Sequence, residues 1–293
     1  MVKMLGFSWL GGGFCLKWRP MPDDDQDLLD RARSGQADAL EKLLERHQAQ
    51  IYRFGMKMCG DPEDAKDVLQ DTLLSVARNV HDFRGGSSIS TWLYTVARSF
   101  CVKKRRKSKF APREIASSLD GAAEHVADPG RAADETIASK QIEQALQAAI
   151  GALEPQYREV LQLRDVEGLT APEVARVTGA SVQAVKSRLH RARLSVRAQI
   201  APLLGIPTDL PAAAGSCPDV LGLFSSHLEG EISPEICAEM EKHIDACSRC
   251  KGACDSLKRT LSLCHAAAPA PQVPANVQAS VRIALRNFLT APP

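Results

Sequence analysis

Thr170-Ala-Pro-Glu-Val-Ala-Arg-Val-Thr-Gly-Ala-Ser-Val-Gln-Ala-Val-Lys-Ser-Arg-Leu-His-Arg-Ala-Arg193 decides the fold of the middle of the chain. Thr170 and Glu173 form a capping-box pattern, in which a hydroxyl and a carboxylate reciprocally satisfy helix-start amides. Val174, Ala175 and Val177 then face inward until Gly179 breaks the helix, and Ser181 can cap a longer helix that buries Val182, Val185 and Leu189. A short helix, a glycine-containing turn and a longer helix make a helix-turn-helix pattern. An ordinary helical hairpin shares the spacing, but here six Lys or Arg and no carboxylate fall between Arg176 and Arg197. With Val185 and Leu189 inside, Gln183, Lys186, Ser187, Arg188 and Arg191 lie wholly or partly outside. The start of this helix is the natural place for base contacts, and its amides favour a phosphate. Gln183 suits adenine, Lys186 or Arg188 can read guanine or hold phosphate, and Arg191 and Arg193 are expected to position the backbone.

Working toward the N-terminus, Ile142, Leu146, Ile150 and Leu153 form one apolar stripe, and Pro155 opens a helix carrying Val160, Leu161 and Leu163 until Gly168. Residues 108–138, weak in pattern and containing Pro112 and Pro129, read as a linker. Before it, residues 25–107 read as helices and short turns. Leu28, Leu29 and Ala32 begin one stripe; Ala39, Leu40, Leu43 and Leu44 continue it, and a separate helix is expected from Gln48 to Met58, stopped by Gly60. Asp61-Pro-Glu-Asp64 supplies an acceptor cap and a helix-compatible proline. The helix that follows turns Val68, Leu69, Leu73, Val76 and Ala77 inward and leaves Asp67, Gln70, Asp71 and Arg78 outside. After a turn at Gly85–Ser88, Ile89, Trp92, Leu93, Val96 and Ala97 mark a helix that runs into Lys103-Lys104-Arg105-Arg106-Lys107. From Arg98 to Arg113 there are eight Lys or Arg and no carboxylate. Trp92 follows the apolar periodicity and reads as core, yet aromatics beside a basic tail also suit opened DNA.

Toward the C-terminus, residues 201–216 read as a second linker, with Pro202, Pro207 and Pro211. Val220, Leu221, Phe224 and Leu228 suggest one helix, and Ser233-Pro-Glu starts another that reaches His243. His243-x3-Cys247 places two metal ligands one helical turn apart, Cys247-x2-Cys250 adds a close thiolate pair, and Cys217 can close a tetrahedron. Four protein ligands leave no obvious position for water, so zinc would be a structural staple for a domain too small to rely on its apolar core. An oxidisable Cys pair is the chief competitor. His227, Cys237, Cys254 and Cys264 are assigned no ligand role. Past an Ala/Pro stretch, Val277, Val281, Ile283, Leu285 and Phe288 pattern a short amphipathic tail, either docked on the earlier helices or a simple end helix.

The composition agrees with modularity. A net charge of +2 over 293 residues conceals the two basic clusters, which attract polyanions over roughly 8–10 Å. Nine cysteines are too sparse for a disulfide scaffold, and five fall in the last quarter, which points to metal ligation in a reducing cytoplasm. Residues 1–24 read as a disordered extension rather than a signal peptide, and no apolar run approaches the ~20 residues that cross a bilayer. No Ser-His-Asp arrangement, phosphate loop or open metal site argues for an enzyme.

Asp61-Pro-Glu-Asp-Ala-Lys-Asp-Val-Leu-Gln-Asp-Thr72, Phe83-Arg-Gly and Thr91-Trp-Leu-Tyr-Thr-Val-Ala-Arg98 resemble region two of the extracytoplasmic-function bacterial sigma factors. Leu153-Glu-Pro, Leu169-Thr-Ala-Pro-Glu-Val-Ala and Val185-Lys-Ser-Arg-Leu-His-Arg-Ala-Arg193 resemble region four, and residues 217–265 resemble the zinc-binding anti-sigma domain. The resemblance implies an all-α protein with two sigma domains, 25–107 and 139–200, plus a small helical zinc domain and a tail over 266–293. It also implies an initiation factor that binds core RNA polymerase through the beta-prime clamp helices and the beta flap, and that opens promoter DNA. By the same resemblance Asp67, Gln70, Asp71 and Arg78 face polymerase; Ser87, Ser88, Ser90 and Lys103, Lys104, Arg105 and Arg106 lie near promoter DNA; and Ser181 to Arg193 enter the minus-thirty-five groove. Where the family often has Asn after Ala-Arg, this chain has Ser99. The appended domain could contact the sigma regions and inhibit them, or tune promoter choice. A helix-turn-helix regulator without a sigma role is the alternative.

Overall fold

A computed structural model describes residues 23–83, 85–108, 133–205, 217–266 and 273–290, and every regular element among them is a helix. The first module contains α1 (Asp23–Arg33), α2 (Ala37–Cys59), α3 (Pro62–Asn79) and α4 (Ile89–Ser108). Sequence patterning splits α2 in two, but the structure runs it unbroken. Glu45-Arg46-His47 contains neither glycine nor proline, and Leu40, Leu43, Leu44, His47, Ile51, Phe54 and Met58 keep one buried stripe in phase. Gly60, at a φ of 77°, ends α2 by donating its amide to the Met56 carbonyl, and the Asp61 carboxylate caps α3 by accepting from the Asp64 amide. Gly55 lets the two helices meet closely, since a Cβ there would lie 3.2 Å from Ala65 Cα.

The second module contains α5 (Ala133–Ala152), α6 (Pro155–Leu161), α7 (Ala171–Thr178) and α8 (Val182–Ile200), with a widened π-type turn at Gln162–Val166 after α6. α5 begins six residues earlier than the expected start of this domain. Thr170 and Glu173 form both halves of the capping box, Gly179 closes α7 at a φ of 69°, and Ser181 caps α8 through the Ala184 amide. The third module contains α9 (Val220–Leu228), α10 (Pro234–Ala246) and α11 (Ser248–Ala266), and α12 (Ala275–Thr290) returns to pack on α3. Residues 1–22, most of the 108–138 linker and residues 206–216 lie outside the described residues. No described helix is long and apolar enough to cross a membrane.

The modules share cores. The first module, α7, the start of α8 and the α12 residues Val277, Val281 and Leu285 form one apolar cluster; Cys264 of α11 packs with α5, α6 and the far half of α8 in another. The central joint between the first two modules is a buried carboxylate. Glu167, its side chain 2% exposed, accepts from Arg53 Nε at 2.7 Å and Nη2 at 2.5 Å, Tyr94 OH at 2.8 Å and Gln162 Nε2 at 2.9 Å. Around it, Arg98 Nε donates to Glu159 at 2.6 Å and Arg176 Nη1 to the Gly86 carbonyl at 2.9 Å. An ionised group with so little water must be paired, and removing one partner of such a pair strands the other. Replacing Arg53 with Ala is therefore expected to weaken the closed arrangement of the two modules by about 3–5 kcal/mol. Small-angle X-ray scattering should then show a larger radius of gyration for the variant than for the unmodified protein.

Candidate nucleic-acid interface and metal centre

α8 carries the basic face of the helix-turn-helix. Ser181, Gln183, Ser187 and Arg191 are exposed, while Lys186 and Arg188 are half-buried. Val182 is 37% exposed, which corrects its assignment to the inward side: it is the first helical residue and precedes the stripe that Val185 begins. Arg193 is also corrected. Instead of facing a DNA backbone it is 1% exposed, with Nε and Nη2 forked onto Asp165 at 2.8 and 2.6 Å, Nη2 also on Glu229 at 2.8 Å, and Nη1 3.3 Å from Ser225 Oγ. A sequence signal for this existed, because Arg193 stands four residues after Leu189 on the buried stripe that continues to Val196 and Ile200. Burial opposes its charge, but Asp165 and Glu229 outweigh that and hold the guanidinium firmly protonated.

Part of the outward side of α8 faces the third module. Lys186 Nζ pairs with Glu231 at 2.7 Å, and Gln183, Ser187 and His190 line a cleft whose opposite wall is α9 and the loop after it. Glu229 in that loop also accepts from Arg164 Nε at 3.2 Å. Thus two acidic residues of the third module hold three cations of the second.

In the first module, Asp67, Asp71 and Arg78 are exposed and Gln70 is half-buried, all on the outer side of α3. Lys104 joins this face, with Nζ 2.5 Å from Asp67 and 2.9 Å from Asp64, so residues assigned separately to polymerase and to DNA meet in one ion pair. Those carboxylates, Asp67 foremost, push the Lys104 ammonium pKa up. Lys103 and Arg106 are exposed and Arg105 is half-buried. Ser87, Ser88 and Ser90 are half-buried at the start of α4, and Trp92 stacks on Phe83 with ring centroids 4.8 Å apart. α12 lies along this module: Arg282 pairs with Glu45 at 3.1 Å, Arg286 with Glu41 at 3.4 Å, and the Arg78 guanidinium sits 5.4 Å from the Phe288 ring centroid. Ile283, expected on the inner stripe, is 61% exposed and points away.

The four donor atoms of Cys217, His243, Cys247 and Cys250 all lie within 4.8 Å of one another. His243 is in the last turn of α10, Cys247 ends that helix, and Cys250 is in the first turn of α11, so a single helix–helix corner supplies three donors. His243 Nε2 is 3.2 Å from Cys250 Sγ, and Cys217 Sγ is 4.0 Å from Cys247 Sγ. The Cys250 amide draws the Cys247 thiol pKa down, while burial and then the neighbouring sulfurs push Cys250 up to about 12. One imidazole and three thiols, with no carboxylate, make a compact soft-donor set that fits a tetrahedral metal ion. His227 and Cys237 form a separate pair, Nδ1 to Sγ 3.1 Å, outside this cluster.

Three family models match the chain. "Sigma-70 region 2" covers residues 43–110, "Sigma-70, region 4" covers residues 143–196, and "Putative zinc-finger" covers residues 217–251. The chain is 34% identical over 162 residues to the RNA polymerase sigma factor YlaC of Bacillus subtilis, an alignment covering 55% of this chain and 91% of that protein. It is 31% identical over 183 residues to the ECF RNA polymerase sigma factor SigM of Mycobacterium tuberculosis, covering 62% and 85%. Among solved structures it is similar to CnrH in complex with the cytosolic domain of CnrY, with a TM-score of 0.44 and 25% identity over 60% of this chain and 96% of that one.

Glu173 connects Ser88 to the helix-turn-helix. Its carboxylate accepts from Ser88 Oγ at 3.0 Å and Thr91 Oγ1 at 3.2 Å, as well as from the Thr170 amide at 2.9 Å and hydroxyl at 2.8 Å. Burial pushes this carboxyl up, but the four hydrogen bonds outweigh burial and bring it below its ordinary 4.5. A group with a depressed folded pKa contributes stability above its unfolded value and loses it as pH falls through the folded value. The stability difference between the unmodified protein and Glu173→Gln, read by urea unfolding, should be full at neutral pH and shrink below pH 4.5.

Proposed function

The chain belongs to the extracytoplasmic-function family of RNA polymerase sigma factors, and from that premise we propose that it initiates transcription under the control of its own C-terminal third. In this reading it binds core RNA polymerase in the cytoplasm through α3, places α8 on the upstream promoter element, and uses the start and basic end of α4 at the DNA that opens. It acts as an initiation factor, not on a substrate. A helix-turn-helix regulator independent of polymerase would account for residues 143–196 but leaves the region-two match unexplained.

The observation that carries the regulatory part is the occupancy of the working surfaces by the chain's own later segments. Lys186 is engaged by Glu231, the cleft beside Gln183 is walled by α9, and the exposed Arg78 guanidinium has the Phe288 ring of α12 beside it. A phosphate backbone seeking α8 meets Glu231 already paired with Lys186, and a partner approaching α3 from the Arg78 end meets α12. Because the appendix is tethered, its effective concentration is of millimolar order where the connecting segment permits contact. In this reading the closed arrangement is a resting form. Promoter DNA and polymerase become competitors of α9, its following loop and α12.

The appendix is held together by zinc. Cys217, His243, Cys247 and Cys250 would be its ligands, and the small cluster of Val220, Phe224 and Leu257 beside them is too slight to fix three short helices alone. Zinc at such a closed site contributes folding energy and no open position for chemistry.

In reconstituted transcription with core polymerase, a chain ending at Gly205 should be more active than the full-length protein, and Glu231→Ala should shift the full-length protein part of the way. Lower activity on truncation would show instead that the appendix assists initiation. Failure of either form to associate with core polymerase would remove the sigma reading itself. Purified protein should hold one zinc ion per chain by elemental analysis; Cys250→Ser should lose it, with a lower melting temperature for α9–α11.

A further inference from the structure

The first module contains two thiols outside the residues assigned to DNA or polymerase. Cys59 is the last residue of α2 and Cys101 lies in the middle of α4, and their sulfurs are 3.5 Å apart. Cys101 is 1% exposed, whereas Cys59 is only partly covered. The two sulfurs share a hydrogen bond, which lowers the Cys59 thiol pKa and, with burial, raises that of Cys101. Burial and Asp64 act against the Cys59 thiolate, and Arg105 and Lys104 favour it. The pair is therefore asymmetric. One sulfur is reachable from solvent, and the other is sequestered and within contact of the first. Reaction with an oxidant depends on thiolate character and access, and its outcome depends on whether a second thiol waits nearby.

We propose that Cys59 is a peroxide-reactive thiol and Cys101 its resolving partner, so that oxidation joins α2 to α4 by a reversible disulfide. In the first step the Cys59 thiolate attacks one oxygen of hydrogen peroxide; the O–O bond breaks, hydroxide leaves and is protonated to water, and Cys59 becomes a sulfenic acid. In the second step Cys101 gives up its proton and its sulfur attacks that of Cys59. The S–S bond forms as the S–O bond breaks, and the departing hydroxide takes the proton to become the second water. Two electrons pass from the thiols to peroxide, and a dithiol reductant reverses the change. The sulfurs must close from 3.5 Å to about 2.0 Å. The end of α2 can supply that movement, because Cys59 is followed at once by Gly60 in the left-handed turn that terminates the helix.

The site is distinct from the metal cluster, whose thiols all belong to the third module. Its neighbour in the chain is the basic end of α4: Lys104, one turn beyond Cys101, holds Asp64 and Asp67 of α3. A bond from Cys59 to Cys101 ties the start of that turn to the base of α2.

The test uses reduced, zinc-loaded full-length protein exposed to increasing hydrogen peroxide, quenched by alkylation and mapped by peptide mass spectrometry without reduction. The expected product at low doses is a Cys59 peptide joined to a Cys101 peptide, two hydrogens lighter than the separate thiols, returned to thiols by dithiothreitol while zinc is retained. Cys59→Ser should abolish the product, and Cys101→Ala should leave Cys59 as a sulfenic acid trapped by dimedone. The proposal is overturned if both cysteines remain alkylated as thiols while the metal ligands oxidise, or if Cys59 pairs instead with any other cysteine. Since the map is made first on the unmodified protein, misfolding of either variant leaves the answer intact.

Discussion

Two buried carboxylates determine how this molecule is put together. Glu167 takes the Arg53 guanidinium from the first module into the second, and Glu229 of the third takes Arg164 and Arg193 of the second. Neither side chain is more than 3% exposed, so neither charge can be carried without its partners. Such pairs add little net stability relative to apolar replacements, because removing charges from water nearly offsets their attraction. What they supply is geometry. A forked guanidinium accepts a carboxylate in one orientation, and Arg193 bonded to Asp165 and Glu229 together fixes α9 against α8 in a way that apolar packing alone would leave free to slide.

The same pairs explain why a chain built from separable modules is closed. Complementary charge also joins the later segments to the first two modules at their rims. Glu231 meets Lys186, and Arg282 and Arg286 meet Glu45 and Glu41 beside the docked α12. Exposed pairs of this kind contribute little individually and weaken with salt. The apolar inner side of α12, Val277, Val281 and Leu285, supplies the area that makes its contact more than an electrostatic encounter. Opening therefore separates unequal contacts, strong at the buried carboxylates and softer at the rim.

Most of the helical plan was legible in the sequence, because periodicity and caps are local. Asp61, Thr170, Glu173 and Ser181 are read as caps and serve as caps, and the soft-donor cluster stands out because His243, Cys247 and Cys250 are tied to one helix corner. What was not legible depends on distance. Arg193 has a visible place on the buried stripe of α8, yet its partners lie 28 and 36 residues away, and no local rule names them. Glu167 looks like an ordinary turn residue until Arg53, 114 residues earlier, is folded over it. The expected break in α2 failed for a simpler reason: a polar stretch without glycine or proline need not end a helix when its apolar phase carries through.

The return of α12 to α3 has a temporal side. Every residue of that helix is synthesised after the first two modules are complete, and at ~5–20 residues per second the ~85 residues that separate Gly205 from the end of α12 take about 4–17 s to add. Each nascent chain thus passes through an interval in which its first two modules have been made and their cover has not. Under the proposed self-restraint, a molecule engaged during that interval would meet its partners before the restraint exists, so the order of emergence from the ribosome would matter as well as equilibrium.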